Sequence, residues 1–136
     1  FMSYALACEL SDRIAAIASV TGTMTTFQTT SCTPTHPTPV MQIHGTADAT
    51  VPYEPSAGFT GIEDLVNYWV DFNNCNPEPQ FVALPDIDTN DDCTAEHYVY
   101  AGGQQGSTVE FYKVIGGGHS WPGAGININI TNMDFN

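Results

Sequence analysis

Two short apolar runs that do not alternate constrain this chain more than any other feature. Ile14 to Val20 (IAAIASV) and Val40 to His44 (VMQIH) lack the polar residue at every second position that marks a strand with one wet face. Such runs fit strands buried on both faces, as inside a parallel sheet, although the first also fits a buried helical segment. The second empties into the loop GTADATVPYEP. Beyond that loop Ile62, Leu65, Val66, Trp69 and Phe72 recur at three and four residues, predicting an amphipathic helix over Ile62–Phe72 that Asn73, Asn74 and Cys75 end. Strand, loop and helix in this order point to an α/β fold with a parallel sheet.

The rest of the chain extends the pattern. Met2, Leu6 and Leu10 on a four-residue period, with Ala5 and Ala7 between them, read as a helix already under way at Phe1 and broken by Ser11, Asp12 and Arg13. A Thr-, Ser- and Pro-rich connection leads to the second apolar run. Gln80 to Leu84 reads as a short strand, and Thr94 to Tyr100 and Thr108 to Ile115 as neighbouring strands joined by the turn AGGQQGS. At 136 residues and 42% hydrophobic, one domain or a large piece of one is expected over 1–136.

Charge narrows the partners. Fifteen acidic residues stand against Arg13 and Lys113, a formal net charge of −13. A surface of that sign repels phosphate backbones and anionic lipid, so neither nucleic acid nor a membrane surface is an expected partner. An acidic surface also serves plain solubility. Cys8, Cys32, Cys75 and Cys93 are an even set at wide intervals, unlike the close pairs that bind zinc, and read as disulfides in an oxidising compartment, secreted or periplasmic. Cys75 and Cys93 flank one acidic loop and are expected to bridge it, leaving Cys8 with Cys32. The run DIDTNDD imitates a calcium loop but lacks the glycine at its sixth position and the glutamate at its twelfth, so no metal is expected, nor any cofactor. Asn129, Ile130 and Thr131 form a glycosylation sequon, a pattern short enough to arise by chance.

Two loops carry candidate chemistry. HGTADATVP contains Asp48 and GGGHSWPG contains His119, each after an expected strand and each amid small, turn-forming neighbours. In open α/β sheets the loops beyond the carboxyl ends of the strands form the ligand crevice. A carboxylate there can fix the tautomer of a histidine acting as general base. The common reading of a lone Asp after a strand is a turn former, but glycine runs beside a histidine suit packing poorly. His44, at the end of a buried strand, reads as structural; His36 lies between prolines and His97 within a strand. Tyr98, Tyr100, Phe111 and Tyr112 read as sheet packing rather than a carbohydrate platform.

The order HGTADATVPY, a helix ending WVDFNNC, two strands and then GGGHSWPG resembles the second half of the polyhydroxybutyrate depolymerase-like and feruloyl esterase-like branch of the α/β-hydrolases. The opening FMSYALACELSDRIAAIASVTG is similar to the segment that follows the nucleophile elbow in that family. The resemblance implies a C-terminal half of an α/β-hydrolase fold, with a mostly parallel sheet flanked by helices and cut at both ends. It implies Asp48 as triad acid, His119 as base, and Trp121 and Pro122 as shapers of the acyl or aryl pocket. The family's G-x-S-x-G elbow and oxyanion hole are missing, and no serine of this chain has the flanking glycines, so the serine is expected about four residues before Phe1. The implied activity is secreted serine ester hydrolysis of a polyester, an acylated polysaccharide or a smaller ester, with this stretch inactive alone and dependent on the missing N-terminal half. A prolyl oligopeptidase-like peptidase shares the Asp and His order but suits the cysteines and HSWPG less well. From another class, a disulfide-stapled, non-catalytic module that attaches an exported enzyme to a polymer fits the composition.

Overall fold

The computed structural model describes residues 1–123; the sequon Asn129–Thr131 lies outside them. Three helices, α1 (Met2–Glu9), α2 (Thr26–Ser31) and α3 (Ile62–Phe72), accompany five strands, β1 (Ile17–Val20), β2 (Val40–Gly45), β3 (Gln80–Ala83), β4 (Thr94–Tyr100) and β5 (Val109–Ile115). The strands form one mixed sheet in the order β1-β2-β5-β4-β3. The pairs β1–β2 and β2–β5 are parallel, whereas β4–β5 and β3–β4 are antiparallel. The chain is thus an α/β domain whose sheet is parallel on one side only, a correction to the mostly parallel sheet expected.

The helical spacing of α3 does what its sequence implies. Ile62, Leu65, Val66, Trp69 and Val70 are all buried, and Trp69 stacks against Tyr4 of α1 at 6.1 Å between ring centroids. Truncating a buried aromatic of this size costs about 3–5 kcal/mol, so Trp69 is the main anchor of the helical layer. Asn73 ends α3 and is itself buried. It accepts from the Thr38 backbone N–H at 2.9 Å and donates to the Thr38 carbonyl at 2.8 Å, tying the helix end to the start of β2.

Helices α1 and α3 cover the same face of the sheet. Side chains alternate along a strand, and Val40, Gln42 and His44 of β2 with Val109 and Phe111 of β5 point toward the helices and are buried. Their neighbours on the opposite face, Met41, Ile43, Glu110 and Tyr112, remain half-buried, and Ala18 of β1 is exposed. Strand β1 therefore alternates rather than being buried on both faces, because it is an edge strand with helices on one side.

The disulfides divide. Cys8 of α1 is bonded to Cys32 just past α2, while Cys75 and Cys93 are both free and buried, which corrects the expected Cys75–Cys93 bridge. The reason is a ruler. Cys93 precedes β4, whereas the Asn76 backbone pairs with Ala101 just beyond its far end. The seven residues of β4, at about 3.3 Å each, hold the two thiols roughly 20 Å or more apart.

Candidate active site

Asp48 and His119 meet. They come from loops that follow β2 and β5, adjacent parallel strands, and His119 Nδ1 lies 2.8 Å from Asp48 Oδ2. Two glycines make the approach possible. A Cβ on Gly45 would fall 2.1 Å from the Gly117 carbonyl oxygen, so no side chain fits where the end of β2 crosses the loop after β5. The loops are zipped together by Thr46 N–H to the Val114 carbonyl (2.8 Å), Ala47 N–H to the Gly117 carbonyl (2.9 Å) and Gly116 N–H to Thr46 Oγ1 (2.9 Å).

Asp48 is held from several sides. Its side chain is fully buried, and Oδ1 accepts from the backbone N–H groups of Thr50 at 2.9 Å and Val51 at 2.8 Å. These two bonds fix the orientation of the carboxylate. Oδ2 faces His119 and stands 3.4 Å from His44 Nε2. With Nδ1 of His119 turned to a carboxylate, which can only accept, Nδ1 is the donor of that contact. His119 retains 20% side-chain exposure, whereas Asp48 retains none.

Behind this pair runs a buried polar chain that sequence reading missed. His44 is fully buried; its Nε2 lies 2.9 Å from the Val51 carbonyl and its Nδ1 3.0 Å from Gln42 Nε2. Gln42 also donates to the Gly22 carbonyl at 2.8 Å and accepts from the Tyr4 hydroxyl at 2.5 Å. Burial pushes the His44 pKa below its ordinary value, ahead of every other influence on it. The sequence signal was there for Gln42, a polar residue inside an apolar strand; Tyr4 carried none.

Of the other expected site residues, Pro122 lines a cleft at this rim with Thr21, Ile43, Cys93 and Ser120, while Trp121 is 68% exposed and is not one of its walls. His36 bonds the Ser11 and Pro37 carbonyls, neither of which belongs to the two loops. His97 pairs with Glu110 at 3.0 Å on the helix-free face. Tyr98 stacks on Phe111 and packs at a tilt against Phe81, and His97 stacks on Tyr112, which is sheet packing. Among the described residues no cluster of three or more His, Cys, Asp or Glu is arranged to hold a metal, and no helix is long and apolar enough to cross a membrane.

No family model matches the chain, and no curated protein matches it.

Proposed function

We propose that this chain is the acid-and-base half of a secreted serine ester hydrolase of the α/β-hydrolase type, its nucleophilic serine and oxyanion hole supplied from outside residues 1–136. The observation that carries the reading is the 2.8 Å contact between Asp48 and His119, 71 residues apart, at the carboxyl ends of adjacent parallel strands. In that arrangement Asp48 orients the imidazole and stabilises its protonated form, and His119 takes the proton of a serine hydroxyl as it attacks an ester carbonyl, then returns it to the leaving alcohol.

Two further features support it. The start of α1 lies at the same rim, since a Cβ on Gly22, just past β1, would stand 3.2 Å from the Phe1 nitrogen. A residue shortly before Phe1 is thus well placed to approach His119, as a nucleophile on a strand-to-helix elbow requires. The parallel strands also carry a helical layer on one face only, whereas parallel sheets are ordinarily covered on both. The ester class is a polyester, an acylated polysaccharide or a smaller ester, and the Cys8–Cys32 bridge accords with export.

The test is ester hydrolysis by residues 1–136 alone and by the chain joined to the segment that precedes it. Turnover is expected only in the second and is abolished there by a serine-directed fluorophosphonate. Serine-dependent turnover by residues 1–136 alone at the rate of an intact esterase overturns the assignment of the nucleophile; full activity of the longer protein after His119→Ala overturns the triad.

A further inference from the structure

Beyond Asp48 and His119, the same rim holds a third ionisable side chain that the triad chemistry does not use. We propose that His44 is a positioning residue for Asp48: a buried hydrogen-bonded chain, Tyr4–Gln42–His44–Val51, ends on the turn that holds the acid and so registers Asp48 against α1. The inference rests on the esterase reading for its function, because α1 is there the helix that follows the nucleophile.

The direction of every bond in the chain is fixed by its ends. The Gly22 carbonyl can only accept, so the Gln42 atom 2.8 Å from it is the amide nitrogen. The remaining Gln42 oxygen accepts from the Tyr4 hydroxyl. The second hydrogen of that same nitrogen points at His44 Nδ1, 3.0 Å away, which makes Nδ1 an acceptor and places the imidazole proton on Nε2. There it is donated to the Val51 carbonyl at 2.9 Å, with Asp48 Oδ2 alongside at 3.4 Å. A protonated His44 would set a donor against the Gln42 amide hydrogen, so the chain closes only around the neutral ring, in keeping with the burial that lowers the His44 pKa.

The outcome is mechanical. Val51 donates its N–H to Asp48 Oδ1 and gives its carbonyl to His44, so the imidazole holds the turn that presents the carboxylate. Tyr4 of α1 and Trp69 of α3 stack over the other end. The distance from α1 to the acid is thereby set by side chains fully removed from water, where hydrogen bonds are strong and replacements are absent.

Three variants test it: His44→Phe, which removes both ring nitrogens; His44→Gln, whose amide nitrogen can reach the Nε2 position; and Tyr4→Phe, which removes one oxygen. The first readout is the proton resonance of the His119 Nδ1–H held by Asp48, followed by NMR together with the tautomer of His44. The native protein is expected to show the Nε2–H tautomer at His44. His44→Phe is expected to shift or broaden the His119 resonance, His44→Gln to preserve it, and Tyr4→Phe to give an intermediate effect. In the protein that includes the preceding segment, His44→Phe and Tyr4→Phe are expected to lower kcat by about tenfold or more with KM within about twofold, since small displacements of catalytic groups are costly. A His119 resonance and kcat unchanged in folded His44→Phe overturn the proposal, as does an Nδ1–H tautomer at His44. If His44→Phe fails to fold, Tyr4→Phe decides: no change in either readout overturns the proposal. Absence of ester turnover in the unsubstituted longer protein counts against the esterase reading alone, because the resonance and the tautomer decide the positioning role without it.

Discussion

His119–Asp48 and His97–Glu110 are histidine–carboxylate pairs of nearly the same separation, 2.8 and 3.0 Å, on opposite sides of the sheet. The first lies where parallel strands end. Its carboxylate is shut away from solvent, held by two backbone N–H groups and backed by a second imidazole. The second lies on the helix-free face of the antiparallel strands, with 20% and 31% of its side chains exposed and the His97 ring stacked on Tyr112 at 4.1 Å. Separation alone therefore does not mark a site. What differs is the cage: one carboxylate cannot turn away from its histidine, and the other can.

The largest expected difference is in turnover. In the protein that includes the preceding segment, His119→Ala is expected to lower kcat/KM for an ester by about 10⁴-fold, whereas His97→Ala changes it by less than about twofold. Equal losses would erase the contrast. Next comes stability at the loop crossing. Gly45→Ala drives a methyl into the Gly117 backbone and is expected to cost about 3 kcal/mol, measured as a lower urea midpoint. Val82→Ala on the exposed strand β3 is expected to cost under about 0.5 kcal/mol.

A smaller effect follows from pH. His44 is held neutral by burial, with its pKa below the ordinary 6.5. The unfolded chain therefore takes up a proton first as pH falls, and the stability this group contributes is present above about pH 6.5 and lost below it. Asp48 opposes that loss and His119 adds to it, while the Tyr53 ring edge packs on the imidazole and Lys113 lies beside it on β5. His44→Gln is expected to flatten the acid limb of the urea midpoint against pH. The smallest effect belongs to Glu110→Gln, worth less than about 0.5 kcal/mol, as partly solvated pairs on a sheet face are.

Sequence periodicity was enough for the elements whose faces differ sharply. α3 and β4 run over the residues their patterns mark, and β2 and β5 agree within a residue at one end. Where side chains are small the pattern says little. Ala15, Ala16 and Ala18 read as buried, yet all three are exposed, since alanine is tolerated on either face. Helix α2 was hidden in a Thr-rich connection, although Thr25 and Gln28 form the reciprocal capping box that marks a helix start. The free Cys75 and Cys93 were beyond sequence logic, because a hairpin strand between two cysteines can hold them apart as well as bring them together. The two loops of the site were legible because glycines stand where side chains would collide. Their backing by His44, Gln42 and Tyr4 was not, because it joins a turn, a strand and a helix across 44 residues of separation.

Among the described residues, the centre of the sheet is occupied by the strand that comes last in sequence: β5 follows the other four and yet sits between β2 and β4. During synthesis β1–β2 and β4–β3 can each pair early, but each waits with one edge bare until β5 leaves the ribosome and slots between them. Such long-range closure is slow and leaves edges open to mispairing. The same insertion carries His119 to Asp48, so a nascent molecule acquires its histidine–carboxylate pair only in the step that closes the two inner strand edges.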